Sequence, residues 1–275
     1  MKDILPLLPL SEWEQTRNTL QSYAQVLGAI QLKYAAPQRH WAHAALRPTA
    51  RGFATDLIQF DHSVFDIYID CFTGELYLTA NKGSRWTLPL RDATQLGLYK
   101  RLQSILSSIG VRLDVDESQF NNERPAGYDE EYLQMYLHAM TRIAATMRRF
   151  KGTLRERTSP VQLFPHHFDL AMLWFSGNTV PGTDPQDEDN ADEQMNFGFS
   201  TGDGAIPEPY IYITAYPKPE GFDSISLPAD AYLHTEGFTA AILPYQALAS
   251  TDEPEDKLLD FFQTVQSAGK ALMFK

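Results

Sequence analysis

The sequence predicts an α+β fold of two pseudo-repeated units, each an antiparallel β-meander flanked by helices. Three observations lead there. A long helical pattern from Ser11 to about Tyr34 precedes a run of alternating aromatic segments, then a helix at about Leu96 to Ile109. The same order recurs from Asp129: a helix to about Arg157, aromatic segments, and a helix at about Glu255 to Ala268. Both strand runs close on a Leu-Pro signal, Leu88-Pro89-Leu90 and Leu243-Pro244-Tyr245. The halves are expected at residues 1–120 and 121–275, folded as one compact unit with a ligand cleft at the seam.

The apolar segment before Ser11 reads as an arm packed on the body, because an early Asp3, two prolines and the lack of a small-residue cleavage site argue against a signal peptide. Ser11 and Glu14 fit a capping box, and Trp13, Leu20, Tyr23, Leu27 and Ile30 keep one helical face apolar until Pro37. From His40 to Leu90 the period becomes two, with short turns that join only antiparallel neighbours, which predicts about five strands. Asp92 is expected to cap the next helix and Gly110 to end it, with Val111–Asp116 as a further edge strand. Asn121 to Gly127 is the expected linker. In the second half, Gly177 to Asp192 holds five acids without a base and reads as a surface loop.

Composition narrows the function classes. No apolar run is long enough to span a bilayer, and the single Cys71, on the apolar face of a strand, excludes an intrachain disulfide. Both point to a cytoplasmic protein without a membrane partner. The net charge of −12 is uneven: residues 1–157 carry 19 basic and 17 acidic side chains, residues 158–275 carry 4 and 18. Such an acidic second half disfavours nucleic acid. The basic helix end, Arg142 to Arg157, reads as a solvated face or as a dock for an anion or for the acidic loop.

Candidate chemistry is sparse. His167 and Asp169 fall on one face if the strand begins before them, and an imidazole oriented by a carboxylate is the skeleton of a general base. His40 and His43, three apart on a strand, face opposite sides, so no metal is expected; no cofactor motif occurs either. Trp41, His43 and Arg47 would share a face. Gly198-Phe199-Ser200-Thr201-Gly202 matches a nucleophile elbow, but the following residues cannot start the helix that motif needs. Tyr210, Tyr212, Thr214 and Tyr216 form a stripe suited to stacking a flat ligand or simply to a half-exposed sheet face.

Leu7-Leu8-Pro9-Leu10 with Trp13, Arg39-His40-Trp41-Ala42-His43, Ala50-Arg51-Gly52, Ser159-Pro160-Val161, Phe168-Asp169-Leu170-Ala171, Ala215 to Phe222 and Leu243-Pro244-Tyr245 together resemble one family, the mainly bacterial domain of unknown function 5996. The resemblance covers nearly the whole chain in the same order. It implies a single full-length unit and supplies no activity. Trp41, His43, Arg51, Asp169 and Tyr216 fit the family pattern. The stretch at Gly198–Gly202, commonly Gly-Phe-Trp-Pro-Gly in the family, and the pair His166-His167 depart from it, which weakens both Ser200 and His167 as shared catalytic groups.

The leading expectation is a protein that binds a small polar or anionic ligand between its halves. Trp41, Tyr212 and Tyr216 would supply aromatic surface, Arg51 would fix the anion, and His43 would titrate near neutral pH. One alternative is a metal-independent hydrolase using His43 or His167 with Asp169. Another is a protein-interaction module using the acidic loop and the basic helix end. The sequence does not set the oligomeric state.

Overall fold

The computed structural model describes residues 4–121, 127 and 129–274. Among these residues the fold is α+β, with two antiparallel sheets of six strands each. Helix α1 (Leu10–Tyr34) leads into β1 (Arg47–Thr49), β2 (Gly52–Ala54), β3 (Ile58–Phe60), β4 (Ser63–Asp70), β5 (Glu75–Ala80) and β6 (Arg85–Pro89), then α2 (Gln95–Ser108). Helix α3 (Glu130–Thr153) leads into β7 (Gln162–Phe164), β8 (Asp169–Thr179), β9 (Asp192–Ser200), β10 (Tyr210–Tyr216), β11 (Tyr232–His234) and β12 (Ala240–Pro244), then α4 (Tyr245–Ala249) and α5 (Pro254–Met273). The helix–sheet–helix order therefore occurs twice. The chain forms two compact units that interleave in sequence rather than dividing at residue 120. The N-terminal unit is Ser11–Leu137 with Gln162–Phe168; the C-terminal unit is Met1–Leu10, His138–Val161 and Asp169–Lys275.

In the N-terminal unit the sheet order is β1-β2-β4-β5-β6, and β2 and β3 lie end to end along the same edge of β4. Thr55 bridges the gap between them by exchanging hydrogen bonds with the backbone of Ile67, through its N–H and its Oγ1. The core carries an aromatic column: Trp13 stacks on Tyr136, Tyr136 on Phe168, and Phe168 meets Phe53 edge-on, with centroids 5.4, 5.4 and 6.1 Å apart. Tyr23, buried on α1, shares its hydroxyl between the carbonyls of Leu90 and Ala93 at 2.8 and 2.9 Å, which fixes the first Leu-Pro signal. Gln31, also buried on α1, donates to the carbonyls of His43 (3.1 Å) and Ala45 (2.5 Å) and accepts from Asp56 N–H (2.7 Å). One side chain thus satisfies three backbone groups of irregular segments that have no ladder to join.

The C-terminal unit orders its strands β11-β12-β10-β9-β8. One sheet face carries Trp174, Met195, Phe197 and Phe199, and packs on helices through Phe150 of α3 and Phe262 of α5, whose centroids lie 5.1 and 5.7 Å from Phe197. The end of α3 is tied down by charge. Arg142 pairs with Glu255 at 2.5 Å, Arg157 with Asp192 at 3.0 Å, and Glu156 with Lys270, while Trp174 Nε1 donates to Glu156 at 3.3 Å.

Several local expectations differ from the structure. The first helix begins at Leu10, so Ser11 lies inside it and is not its cap. Thr94, not Asp92, caps α2, accepting from Gly97 N–H at 3.0 Å; Asp92 takes a left-handed turn instead. Val111–Asp116 runs without strand pairing. Most of the expected linker, residues 122–126, lies outside the described residues. Buried Cys71 has its thiol pushed up by desolvation, in keeping with an inert core position.

Gln31→Leu should lower the unfolding free energy by about 2–4 kcal/mol, because it strands buried backbone groups without opening a cavity. Urea midpoints would test this, and a loss below about 0.5 kcal/mol would contradict it. The Glu156 carboxyl is held down at about 2, chiefly by its bond to Lys270. Its contribution to stability is full above its ordinary value near 4.5 and fades as pH falls toward about 2. The stability gap between wild type and Glu156→Gln should close across that acid range and stay constant above it.

Candidate functional site

The expected site residues fall into the two units. In the N-terminal unit, Arg39–Ala44 is a tight 3-10 segment rather than a strand, and His40 and Trp41 both sit at φ 55°, a left-handed conformation that bulky residues rarely hold. The alternation that put Trp41 and His43 on one strand face with Arg47 therefore does not apply. Trp41 and His43 still meet: their rings stack at 5.9 Å and 26°. Trp41 is 45% exposed and His43 8% exposed. His43 Nδ1 lies 3.0 Å from Gln38 N and 3.2 Å from Gln38 O, so the ring closes on the backbone of Gln38. Gln31, together with Gln162 donating to Ala42 O at 2.8 Å, holds this segment in place.

Arg51 stands elsewhere in that unit. Its Nε donates to Asp70 Oδ2 at 2.7 Å, and its guanidinium lies over the Phe72 ring at 4.9 Å. The other oxygen of Asp70 accepts the N–H groups of Phe72 and Thr73, so the pair pins the β4–β5 turn. His167 lies on an exposed turn, edge-on to His166 and one residue before a left-handed Phe168. It is outside β8, so strand alternation does not set its side chain beside Asp169.

In the C-terminal unit Asp169 accepts a very short hydrogen bond from the Tyr212 hydroxyl. Both lie on the sheet face opposite the helices. Registry places Gly198 directly across from Tyr212, and a Cβ there would come within 2.2 Å of the phenol ring. Only glycine leaves space for the ring to cross β9 and reach Asp169. Burial, together with the Asp169 charge, raises the Tyr212 hydroxyl well above its ordinary value and keeps it a donor. Tyr216 ends the same stripe, partly exposed. Ser200 ends β9 with its Oγ accepting Gly202 N–H at 3.1 Å, and no helix follows it.

Beside this stripe the C-terminal unit holds an open-sided cavity of about 480 Å³. Its floor is Tyr210, Ile242 and Tyr232: Tyr232 of β11 pairs with Ile242 of β12, and Tyr210 of β10 pairs with Pro244, two residues along β12. One wall is the loop Ile206–Pro209. Asp203 shapes that loop: Oδ1 accepts Ala205 and Ile206 N–H at 2.8 and 2.9 Å, and Oδ2 accepts the Tyr210 hydroxyl at 2.5 Å. The other wall is the N-terminal arm, Leu7–Pro9, fixed where Tyr245 donates to Pro6 O (2.7 Å) and Leu10 N–H donates to Glu208 (3.2 Å). Desolvation and the bond to Asp203 raise the Tyr210 hydroxyl, and desolvation raises that of Tyr245, so both line the cavity as neutral phenols.

Sequence reading named Tyr212 and Asp169 and expected the arm to pack on the body, but gave no site role to the arm, Gly198, Asp203 or Glu208. Asp203 alone left a local trace, an acid two and three residues before the N–H groups it binds in a Gly-Pro-rich loop. Among the described residues, no three His, Cys, Asp or Glu side chains converge on a metal position, and no helix is long and apolar enough to cross a membrane.

A family model described as a family of unknown function (DUF5996) matches residues 5–273. The chain belongs to that family. The match takes in both the arm at the cavity wall and the last turns of α5. No curated protein matches the chain, and no solved structure does.

Gly198→Ala should cost about 1–3 kcal/mol, because the methyl group drives Tyr212 off Asp169. Gly152→Ala, near the end of α3 with open space around its Cβ position, should instead be neutral or stabilising by up to about 1 kcal/mol. Equal unfolding midpoints for the two variants would contradict the close crossing at Gly198.

Proposed function

We propose that this protein binds a small, largely apolar molecule in the cavity of its C-terminal unit. The carrying observation is the cavity itself. Its size lies in the range of small-ligand sites, and its lining is mostly aliphatic and aromatic, with a few polar groups held in place by Asp203 and Tyr245. The anionic ligand expected from the sequence rested on Arg51, whose guanidinium here meets Asp70. A hydrolase on His43 or His167 with Asp169 is the weaker reading, because the Asp169 carboxylate already takes the Tyr212 hydroxyl. An interaction module on the basic helix end is weaker too, because Arg142 and Arg157 pair with acids of their own unit. The same proposal places the protein in the cytoplasm without a nucleic-acid or membrane partner, supported by the lone thiol and the acidic charge.

The neutral solvatochromic dye Nile red should brighten and shift to the blue with the wild-type protein. Ile206→Trp, which fills the cavity from its half-buried loop, should remove that response while leaving the thermal midpoint within a few degrees. An unchanged response in the folded variant would place the dye elsewhere and end the proposal.

A further inference from the structure

We infer that the molecule held in this cavity carries a cationic nitrogen: an apolar amine or a base of similar shape. The inference rests on the proposed binding function and goes on to name the class of ligand. Three features support it. Among the described residues, the ionisable groups of the lining are the carboxylate Glu208 and the phenols Tyr210, Tyr232 and Tyr245, with no Lys, Arg or His. Glu208 gives one oxygen to Leu10 N–H at 3.2 Å, so its carboxylate is anchored at the rim between the arm and the loop. Asp203 adds a second negative charge directly behind the Tyr210 hydroxyl.

The phenol rings supply the remaining recognition. Tyr210 comes from β10 and Tyr232 from β11, the strands on either side of β12, and Tyr245 from the start of α4, so ring surface borders the cavity on two sides. An aromatic face attracts a cation through its quadrupole and also covers an alkyl chain. The wider charge acts in the same direction, since the C-terminal unit carries 20 acidic against 11 basic side chains. A carboxylate or phosphate ligand would enter against that field, and a protonated amine would be drawn along it.

A matched series of octylamine, 1-octanol and octanoic acid, titrated calorimetrically against the full-length protein at neutral pH, separates the possibilities. Octylamine should bind about tenfold more tightly than octanol, and octanoic acid most weakly. Glu208→Gln keeps an acceptor for Leu10 N–H but removes the charge, and should cut the amine preference to about threefold or less with octanol affinity unchanged. Salt at about 0.5 M should narrow the preference in the wild type as well. Equal binding of amine and alcohol, or tighter binding of the acid, would overturn the charge inference while leaving a cavity that binds apolar molecules. Failure of all three ligands would overturn both readings, and a concentration-dependent dimer in the same samples would assign the cavity to a second copy of the chain.

Discussion

The carboxylate of Asp203 is the constraint on which the cavity depends. A loop of glycine and proline between β9 and β10 has no ladder to join, so its backbone donors need another acceptor. Asp203 accepts two of them and the Tyr210 hydroxyl as well, through both of its oxygens. That one side chain sets the curvature of the loop, the position of Ile206 at the wall, and the rotamer of the Tyr at the floor. A charged acceptor is suited to the task because its bonds to N–H and O–H donors are shorter and stronger than those of a neutral carbonyl.

Each unit uses a polar node of this kind where regular structure stops. In the N-terminal unit the node is Gln31, whose amide serves both as donor and acceptor and so can close on two carbonyls and one N–H. The strained backbone at His40 and Trp41 persists because Gln31 and Gln162 bind the carbonyls that follow it. In the C-terminal unit, Asp169 and Asp203 hold adjacent tyrosines of one stripe, Tyr212 and Tyr210, whose rings lie 6.1 Å apart. Phenols fixed this way spend no rotamer freedom when a ligand arrives.

Much of the fold was legible because it rests on local pattern. The helical faces of α1, α3 and α5, the period-two segments and both Leu-Pro signals follow from spacing alone. Errors arose where backbone conformation departs from the local pattern. His40–His43 and His166–His167 sit among aromatic residues that read as strand, yet left-handed residues at Trp41 and Phe168 turn the chain at both places. The candidate site was legible only in parts. Asp169, Tyr212 and Gly198 become neighbours through the registers of β8, β9 and β10, and the cavity joins positions 7–9, 206–210, 232 and 242–246. Such pairings are set by long-range packing, which no spacing within a strand encodes.

The distribution of charge follows from the same packing. The basic end of α3 looked in sequence like a surface able to meet an anion. In the folded unit, Arg142 is engaged by Glu255, Arg157 by Asp192 and the Phe175 ring, and Lys151 by the Ser159 carbonyl at 2.9 Å. Lys270 is engaged by Glu156. These cations serve to join the end of α3 to α5 and to the strands beside it. At the cavity, Asp203 accepts the Tyr210 hydroxyl and two N–H groups of its own loop, and Glu208 accepts the Leu10 N–H. The same unit thus uses acids in two ways, to hold cations where α3 meets α5 and the strands, and to hold neutral donors around the cavity.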